Sequence, residues 1–263
     1  MRLWWEVARR GFRRYATYRG ATFAGVFTNT VFGFIRAYVL IALFAVAPHI
    51  AGFHVSEAVT YTFVSQGMLM PLYLWGWQEI ADTVYSGQIA TDLYRPFDYQ
   101  SYWLAQDLGR ATYHGIFRGV PPFIIGAIFF TLRVPHDPWT WLFFALSFYL
   151  AVAVSFAMRF MVNLSSFWLL DVRGVHGVAA AAWTLLSGFT IPLQFFPLLA
   201  KRALDVLPFR AMFELPLNIF LERVHGFGVV STLALQLFWV VVLLGCGRVM
   251  LRAATRKLVL QGG

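Results

Sequence analysis

Six long blocks of apolar residues constrain this chain more than any other feature of its sequence. A helix that is apolar on all sides, rather than along one stripe, needs lipid or other helices around it. Each unbroken block is close to the roughly 20 residues of α-helix that cross the hydrocarbon core of a bilayer. We therefore predict an all-α integral membrane protein, a single transmembrane domain over residues 1–263. Its six transmembrane helices are predicted at residues 21–47, 58–77, 115–132, 139–163, 178–199 and 229–250.

The basic residues of the chain lie mainly at the ends of the apolar blocks. The sequence has 21 Lys and Arg against 12 Asp and Glu, a net charge of +9. No zinc-finger spacing and no basic stripe interleaved with aromatic residues accompanies this charge, so we expect no nucleic acid as a partner. The excess instead fits the rule that loops on the cytoplasmic side of a membrane are rich in Lys and Arg.

With six spans, most of the arginines outside the apolar blocks fall on one side of the membrane. The N-terminus, residues 78–110 and the C-terminus all carry Arg, whereas residues 48–57, the first loop on the other side, have neither Lys nor Arg. We therefore expect both termini in the cytoplasm. The segment after the fifth block is the exception, because it places several basic residues outside: Lys201, Arg202, Arg210 and Arg223.

Residues 1–20 predict a helix that lies along the membrane surface. One side of its helical wheel carries apolar residues such as Trp4 and Phe12, and the other carries Arg2, Arg9, Arg10, Arg13 and Arg14. A basic amphipathic helix of this kind lies in the headgroup layer. The following block ends in residues 45–47, Ala-Val-Ala, which resemble a signal-peptidase site. Because that block exceeds the roughly 7–15 apolar residues of a signal peptide, we expect an uncleaved span.

Residues 78–110, between the second and third blocks, are too organised to be a plain loop. Residues 79–85 combine apolar and acidic side chains at helical spacing, and Gly87 then permits a turn. Residues 89–93 predict a second short amphipathic helix, which ends before Pro96. Such a pair of helices on the cytoplasmic side would offer a compact surface to a soluble protein.

The fifth block cannot form one unbroken helix. Gly188, Pro192 and Pro197 interrupt it, and a proline inside a helix removes a backbone hydrogen bond and clashes with the preceding turn. Irregular backbone at membrane depth needs protein or water to satisfy its polar groups. We predict that residues 188–228 form a broken helix and a re-entrant extracytoplasmic hairpin before the last span.

Two motifs within this arrangement resemble those of a known protein family. Residues 87–96, Gly-Gln-Ile-Ala-Thr-Asp-Leu-Tyr-Arg-Pro, are similar to a Gly-x-Ile…Leu-x-Arg-Pro stretch of bacterial ABC-2 permeases whose ATPase is a separate chain. Residues 188–197 are similar to the Gly…Pro…Phe-Pro signature of that subfamily at span five. Together with the surface helix and six spans, nearly the whole chain resembles the membrane subunit of ABC-2-type ABC transporters.

This resemblance implies an exporter of the bacterial inner membrane in which two permease subunits, identical or related, form the translocation path. Separate ATPase subunits would bind ATP and magnesium, and this chain would bind no cofactor. The sequence lacks a Gly-x-x-x-x-Gly-Lys-Ser/Thr motif, which agrees with that division. The coupling residues implied by the first motif and its flank are Glu79, Asp82, Ile89, Asp92, Leu93, Arg95 and Pro96. The broken-helix motif consists of Gly188, Pro192, Phe196 and Pro197.

Arg36 lies near the middle of the first predicted span, where a charge costs at least roughly 2.5–3.5 kcal/mol. Two interpretations remain open for Arg36. It lines the translocation path, or it binds a carboxylate or carbonyl groups between helices. Arg159, near the inner end of the fourth span, is expected to extend to the lipid headgroups.

Two other classes of membrane protein remain as alternatives. A membrane-embedded enzyme acting on lipids or prenyl chains needs converging catalytic groups, but the sequence has no Asp-x-x-Asp or His-x-x-x-His pattern. Its single cysteine, Cys246, and its six scattered histidines also predict no metal site. A secondary transporter usually needs an internal repeat and acidic residues within its spans, and the predicted spans contain almost no Asp or Glu.

Overall fold

The structure, a computed structural model, describes residues 2–47, 50–73 and 75–261, with side chains as far as Lys257. Within these residues the chain is built from helices joined by turns, without a β-sheet. The described α-helices are α1 (Arg2–Ala16), α2 (Arg19–Val46), α3 (Val55–Leu72), α4 (Glu79–Tyr85), α5 (Ile89–Leu93), α6 (Tyr99–His114), α7 (Val120–Phe129), α8 (Pro138–Leu164), α9 (Arg173–Leu186), α10 (Leu198–Asp205), α11 (Glu214–Phe220) and α12 (Phe227–Gln261).

Three helices in the described part of the chain are long and apolar enough to cross a membrane. They are α2, the stretch Pro138–Phe167 that contains α8, and Phe227–Lys257 of α12. They coincide with the first, fourth and sixth predicted spans and make the chain a membrane-integral protein. The second, third and fifth spans remain predictions, because the helices there are shorter, interrupted or more polar.

The helix α3 occupies the second predicted span but ends at Leu72 rather than at residue 77. Tyr73 follows with a left-handed backbone conformation, φ 51°, which stops the helix. Most side chains of α3 are buried, including the hydroxyl groups of Thr60, Thr62 and Ser65. These hydroxyls donate to backbone carbonyl groups of the preceding turn. The helix is therefore an interior element that contacts other helices on nearly all sides.

The helix that enters the third predicted span begins well before the apolar block. The helix α6 starts at Tyr99, where Asp98 caps it by accepting a hydrogen bond from the Ser101 backbone N–H at 2.8 Å. It continues through a π-helical turn, Gly115–Gly119, into α7. The prolines near the start of α7 have no backbone N–H, so the hydrogen-bond ladder shifts by one residue just before them. The end of the predicted cytoplasmic segment is thus the start of a long helix.

The helices α1 and α6 lie so close that their backbones touch. A Cβ added at Gly11 would overlap the Gln106 carbonyl oxygen, and one added at Gly109 would overlap the Ala8 carbonyl oxygen. Helices approach this closely where small residues face each other. The contact orients α1, since Val7 and Gly11 are buried whereas its arginines are exposed.

Two groups of buried apolar side chains form the interior. The larger surrounds α3 and α8 and extends to α11. The smaller lies beside α4 and α5 and includes the rings of Trp77, Trp103 and Phe156. Because Ile80 and Ile89 belong to this second group, α4 and α5 are attached to the long helices rather than suspended from a loop.

Candidate functional site

The helices α4 and α5 have one buried and one exposed face. Ile80 and Ile89 are buried and Leu93 is half-buried, so the apolar residues of the predicted coupling segment point inward. Ile89 therefore anchors α5 and does not itself reach the outer surface. The exposed residues of this segment include Asp82, Tyr85, Gln88, Thr91, Tyr94, Arg95 and Pro96.

Two exposed tyrosines on this outer face were not among the predicted site residues. Tyr94 is 90% exposed and Tyr85 is 47% exposed. Tyrosine is enriched at protein interfaces, because it combines a large apolar ring with a hydrogen-bonding group. The sequence offered one signal, since Tyr94 lies within the motif at residues 87–96.

The acidic residues of α4 and α5 differ in their partners. Glu79 Oε2 lies 2.8 Å from Arg14 Nη1 of α1, and this hydrogen bond raises the pKa of Arg14. Asp92 Oδ1 lies 3.2 Å from Arg95 Nη2. Asp82 is exposed and has no ion pair among the described residues. Glu79 thus links α4 to α1, and Asp82 remains available to a partner.

Asn163, near the end of α8, fixes the start of α4. Its Nδ2 donates to the carbonyl oxygens of Trp77 and Arg159, each at 2.9 Å. Its Oδ1 accepts a hydrogen bond from the Ala81 backbone N–H at 3.1 Å. The first N–H groups of a helix have no partner within that helix, so a side chain of α8 completes α4. The two helices are therefore joined by a buried amide.

Next to Asn163 lies a buried group of Asp107, Arg110 and Arg159, here called the arginine–aspartate cluster. Arg159 Nη2 is 2.7 Å from Asp107 Oδ2, and Arg110 Nε is 2.8 Å from Asp107 Oδ1. Each of the three side chains is at most 3% exposed. The expectation that Arg159 extends to the headgroups is wrong, because Asp107 of α6 supplies a buried partner.

The arginine–aspartate cluster also closes the end of α3. Arg110 donates to the carbonyl oxygens of Met70 and Pro71, both at 2.7 Å, and lies over the Tyr73 ring at 4.6 Å from its centroid. The last carbonyl groups of a helix lack partners within it, and a guanidinium presents five donors in a rigid fork. Because Asp107 also pairs with Arg159, the cluster joins α3, α6 and α8 close to the start of α4.

The break after α9, residues 187–197, is fixed by side chains from two other helices. Gly188 has φ +87°, and its carbonyl oxygen accepts a hydrogen bond from Tyr61 Oη at 2.6 Å. Arg36 Nη2 donates to the carbonyl oxygens of Phe189 and Thr190 at 2.6 and 2.8 Å. Arg36 thus binds backbone carbonyl groups between helices, one of its two interpretations. Its place beside a translocation path stays a prediction.

The two prolines of the predicted broken-helix motif each precede a new element. Pro192 is followed by a 3₁₀ turn, Leu193–Phe195, and Pro197 is followed by α10. Phe196 lies between them and is half-buried. Proline fixes φ near −65° and has no N–H to satisfy, so it suits the start of a helix. The chain therefore turns through short elements here, since α9 ends at Leu186.

Every buried carboxylate in the described residues faces an arginine. These carboxylates are Glu57, Asp107 and Glu214. Glu57 pairs with Arg133 and lies 3.3 Å from Arg223 Nη1, and Glu214 Oε2 lies 3.2 Å from Arg210 Nε. A buried charge is tolerated when an opposite charge compensates it. These acids therefore serve as partners of arginine in the interior.

A cavity of about 560 Å³ opens between α3, α7 and α8. Its walls are apolar, and its two hydroxyl groups, on Thr112 and Tyr149, hydrogen-bond to each other at 3.0 Å. None of the described residues lining it is a carboxylate, histidine or cysteine. No three such side chains converge to hold a metal ion in the part of the chain that the structure describes, and His49 lies outside that part.

Comparison with known proteins gives one match. The sequence model of a protein family described as ABC-2 family transporter protein matches residues 30–262. The match includes α4, α5, the arginine–aspartate cluster and the break after α9, and it leaves out α1. No curated protein and no solved structure matches the chain. The resemblance carried by the two motifs is confirmed, and the chain belongs to the ABC-2 transporter family, whose members are membrane components that generally work with an ATPase subunit.

Proposed function

We propose that this chain is the membrane-spanning permease subunit of an ATP-driven exporter in the bacterial inner membrane. Two such subunits, either two copies of this chain or this chain and a related permease, form the translocation path. Separate ATPase subunits bind ATP and Mg²⁺ and dock on α4 and α5. Their cycle drives the permease between inward-open and outward-open states, and this chain hydrolyses no ATP itself.

The observation that carries this proposal is the two-faced construction of α4 and α5. One face is buried through Ile80 and Ile89 and is bonded to α8 through Asn163. The other face presents Tyr85 and Tyr94 with charged neighbours. A surface that is firmly attached on its inner side and aromatic on its outer side suits a protein partner. Such a surface can transmit the movement of a partner to the long helices.

The arginine–aspartate cluster supports a route for that movement. A displacement of α4 acts on Asn163 and through it on α8. Arg159 connects α8 to α6 through Asp107, and Arg110 connects α6 to the end of α3. Buried ion pairs resist separation, because parting them leaves an uncompensated charge. In this proposal the connected helices therefore respond to the ATPase together.

Contacts between the helix ends support the proposed orientation. A soluble ATPase requires α4 and α5 on the cytoplasmic side. The helix α1 is bonded to α4 through Arg14 and Glu79, and Arg248 of α12 lies 3.8 Å from Asp98 just before α6. Both ends of the chain therefore belong on that side, in agreement with the positive-inside rule. In this orientation the N-terminal helix braces the docking segment.

In this proposal the translocation path runs beside α2 and the break after α9. Arg36 is half-buried there, and its Nη1 has no hydrogen-bond partner among the described residues. A charge at membrane depth needs polar partners or a water-filled cavity. In this proposal the break opens during transport, and this buried donor then meets a polar part of the cargo.

The two alternatives have less support. Ion-coupled secondary transport needs an intramembrane acid that exchanges a cation, but Glu57, Asp107 and Glu214 are each compensated by arginine. A lipid- or prenyl-processing enzyme needs catalytic groups in its cavity. The described lining of the 560 Å³ cavity supplies no acid, histidine or cysteine.

Co-purification from native membranes tests the docking surface. The double variant Tyr85→Ala/Tyr94→Ala removes both exposed rings and the hydrogen bond from Tyr85 Oη to the Leu169 carbonyl oxygen, and it leaves the buried face intact. We expect loss of the ATPase from the purified complex and a fall in binding of about tenfold or more, because aromatic anchors of an interface contribute roughly 2 kcal/mol or more. Trp139→Ala is the matched control, since this 64% exposed ring lies at the opposite end of α8.

Thermal stability of the purified variants separates lost docking from misfolding. Leu93→Asp should also uncouple transport, but this half-buried residue disturbs the attachment of α5 as well, so the tyrosine pair is the sharper test. A double variant that keeps the whole complex contradicts the docking assignment. A wild-type chain that co-purifies with no P-loop ATPase contradicts the proposed function itself.

A further inference from the structure

A second cavity, of about 350 Å³, lies between the start of α6 and α12. The two helices run in opposite directions here, because Gln100 and Arg248 line one end whereas Leu104 and Val241 line the other. One end of the cavity is therefore polar and the other apolar. The polar end lies on the same side of the molecule as α4 and α5, since Asp98 follows α5 closely.

Gln100 gives the cavity an unused hydrogen-bond acceptor. Its side chain is 2% exposed, and its Nε2 donates to the Leu244 carbonyl oxygen at 3.1 Å. Its Oε1 has no hydrogen-bond partner among the described residues. A Cβ at Gly247 would lie 2.6 Å from Gln100 Nε2, so glycine makes room for this side chain. A buried acceptor without a donor is costly, so a ligand that supplies an N–H or O–H to Oε1 would relieve this cost.

The polar end also carries both signs of charge. Arg248 Nη2 lies 3.8 Å from Asp98 Oδ1, and the two side chains are 59% and 45% exposed. This separation is longer than a hydrogen bond, so Arg248 retains the capacity for another partner. Asp98 Oδ1 already accepts hydrogen bonds from the Ser101 backbone N–H and hydroxyl group, so its Oδ2 is the oxygen that can bind a ligand. A guanidinium binds phosphate through a bidentate fork, and a carboxylate binds an ammonium group.

We propose that this cavity binds a phospholipid whose headgroup carries a primary amine, as in phosphatidylethanolamine. The phosphate binds Arg248. The ammonium group binds Asp98 and donates to Gln100 Oε1. The first part of an acyl chain lies along Leu104 and Val241.

The depth of the site fits this assignment. Arg248 follows Phe227 by 21 residues, and at 1.5 Å per residue this places it about 32 Å along α12. The hydrocarbon core is about 30 Å thick, so the polar end lies at the level of the headgroups. The site follows from these contacts alone and does not depend on the proposed transport function.

Native mass spectrometry of the purified full chain tests the site. The protein is equilibrated in nanodiscs with equal amounts of phosphatidylethanolamine, phosphatidylcholine and phosphatidylglycerol, then released into detergent, and retained lipids are counted. We expect phosphatidylethanolamine to be retained over phosphatidylcholine, whose quaternary ammonium has no N–H for Gln100. Arg248→Gln and Asp98→Asn should each reduce its retention about tenfold. Asparagine can still cap α6, so Asp98→Asn keeps the helix start.

Arg252→Gln is the matched control, because Arg252 is exposed on the same helix one turn further on and does not line the cavity. It should retain lipid as the wild type does. Equal retention of the three lipids, or retention of none, overturns the proposal. A preference for phosphatidylglycerol overturns it in favour of a site for anionic lipids, and equal losses in Arg248→Gln and Arg252→Gln overturn it in favour of a general effect of surface charge.

Discussion

The arginine–aspartate cluster and the break after α9 both contain backbone carbonyl groups that lack helical partners, and in both regions an arginine binds them. In the cluster, Arg110 binds the end of α3 and is itself paired with the buried Asp107. At the break, Arg36 binds two carbonyl groups and lies over the Phe189 ring, 5.0 Å from its centroid, but it faces no carboxylate, and its Nη1 has no hydrogen-bond partner among the described residues. The charge of the arginines is compensated by a carboxylate in the cluster, whereas the charge of Arg36 at the break is not.

This difference indicates which region can change shape. Moving a helix at the cluster would leave a buried charge without its partner, which is among the costliest events in a protein interior. At the break, Arg36 can exchange a carbonyl group for water at a small cost, because water-mediated hydrogen bonds are nearly as favourable as direct ones. The cluster is therefore suited to move as a unit, and the break is suited to rearrange.

The largest effect is expected from Asp107→Asn, which removes the carboxylate shared by Arg110 and Arg159. Breaking a buried ion pair costs about 3–5 kcal/mol, so the thermal unfolding midpoint in detergent should fall strongly. Asp171→Asn is the control, because Asp171 and Arg173 form a pair of the same type on the surface, at 2.7 Å. A similar loss in both variants would show that burial does not distinguish the cluster.

An intermediate effect is expected from Gly188→Ala at the break. The φ of +87° disfavours any residue with a Cβ, and the added Cβ would lie 2.7 Å from Tyr61 Oη. Such a strained position costs about 1–3 kcal/mol, and hydrogen exchange should accelerate at residues 187–197 while α4 and α5 stay protected. Gly174→Ala, in the first turn of α9 with open space around it, should leave exchange unchanged. Faster exchange in α4 would argue against separate behaviour of the two regions.

The smallest effect is expected from Glu79→Gln, which breaks the contact between α1 and α4. The two side chains of this pair are 51% and 30% exposed, and exposed pairs contribute about 0.2–1 kcal/mol. A double-mutant cycle with Arg14→Gln should give a coupling energy in this range that decreases with added salt. The exposed pair of Glu6 and Arg9 serves as a reference. A coupling energy as large as the loss in Asp107→Asn would make α1 part of the rigid unit.

The long apolar helices could be predicted, whereas the start of α6 could not. An apolar block of about 20 residues has few alternatives to a buried or membrane-spanning helix. For this reason α2 and α8 have nearly the predicted bounds, and α12 contains the sixth predicted span and continues to Gln261. The first turns of α6 are polar enough to resemble a loop. The one sequence signal for a helix start here is Asp98, a typical capping residue, which accepts a hydrogen bond from the Ser101 backbone N–H.

The sequence alone also could not predict which residues far apart in the chain pair with each other. Asp107 and Arg110 are three residues apart, a spacing that places them side by side on a helix. Arg159 is far from both in the chain, and its pairing depends on how α6 packs against α8. In the candidate site, the motif at residues 87–96 was enough to locate α5. It did not show that Tyr94 points outward, which follows from the burial of Ile89 on the opposite face.

The close contact of α1 with α6 has a consequence for how the protein is made. The ribosome releases α1 long before it reaches Gly109, the residue on which Ala8 rests. During that interval the helix has no protein surface to occupy, and the headgroup layer accepts its apolar side. Docking waits until α6 is in place. The helix α1 is thus synthesised well before α6 but reaches its final position only after it, and its amphipathic sequence suits it to the membrane surface in the interval.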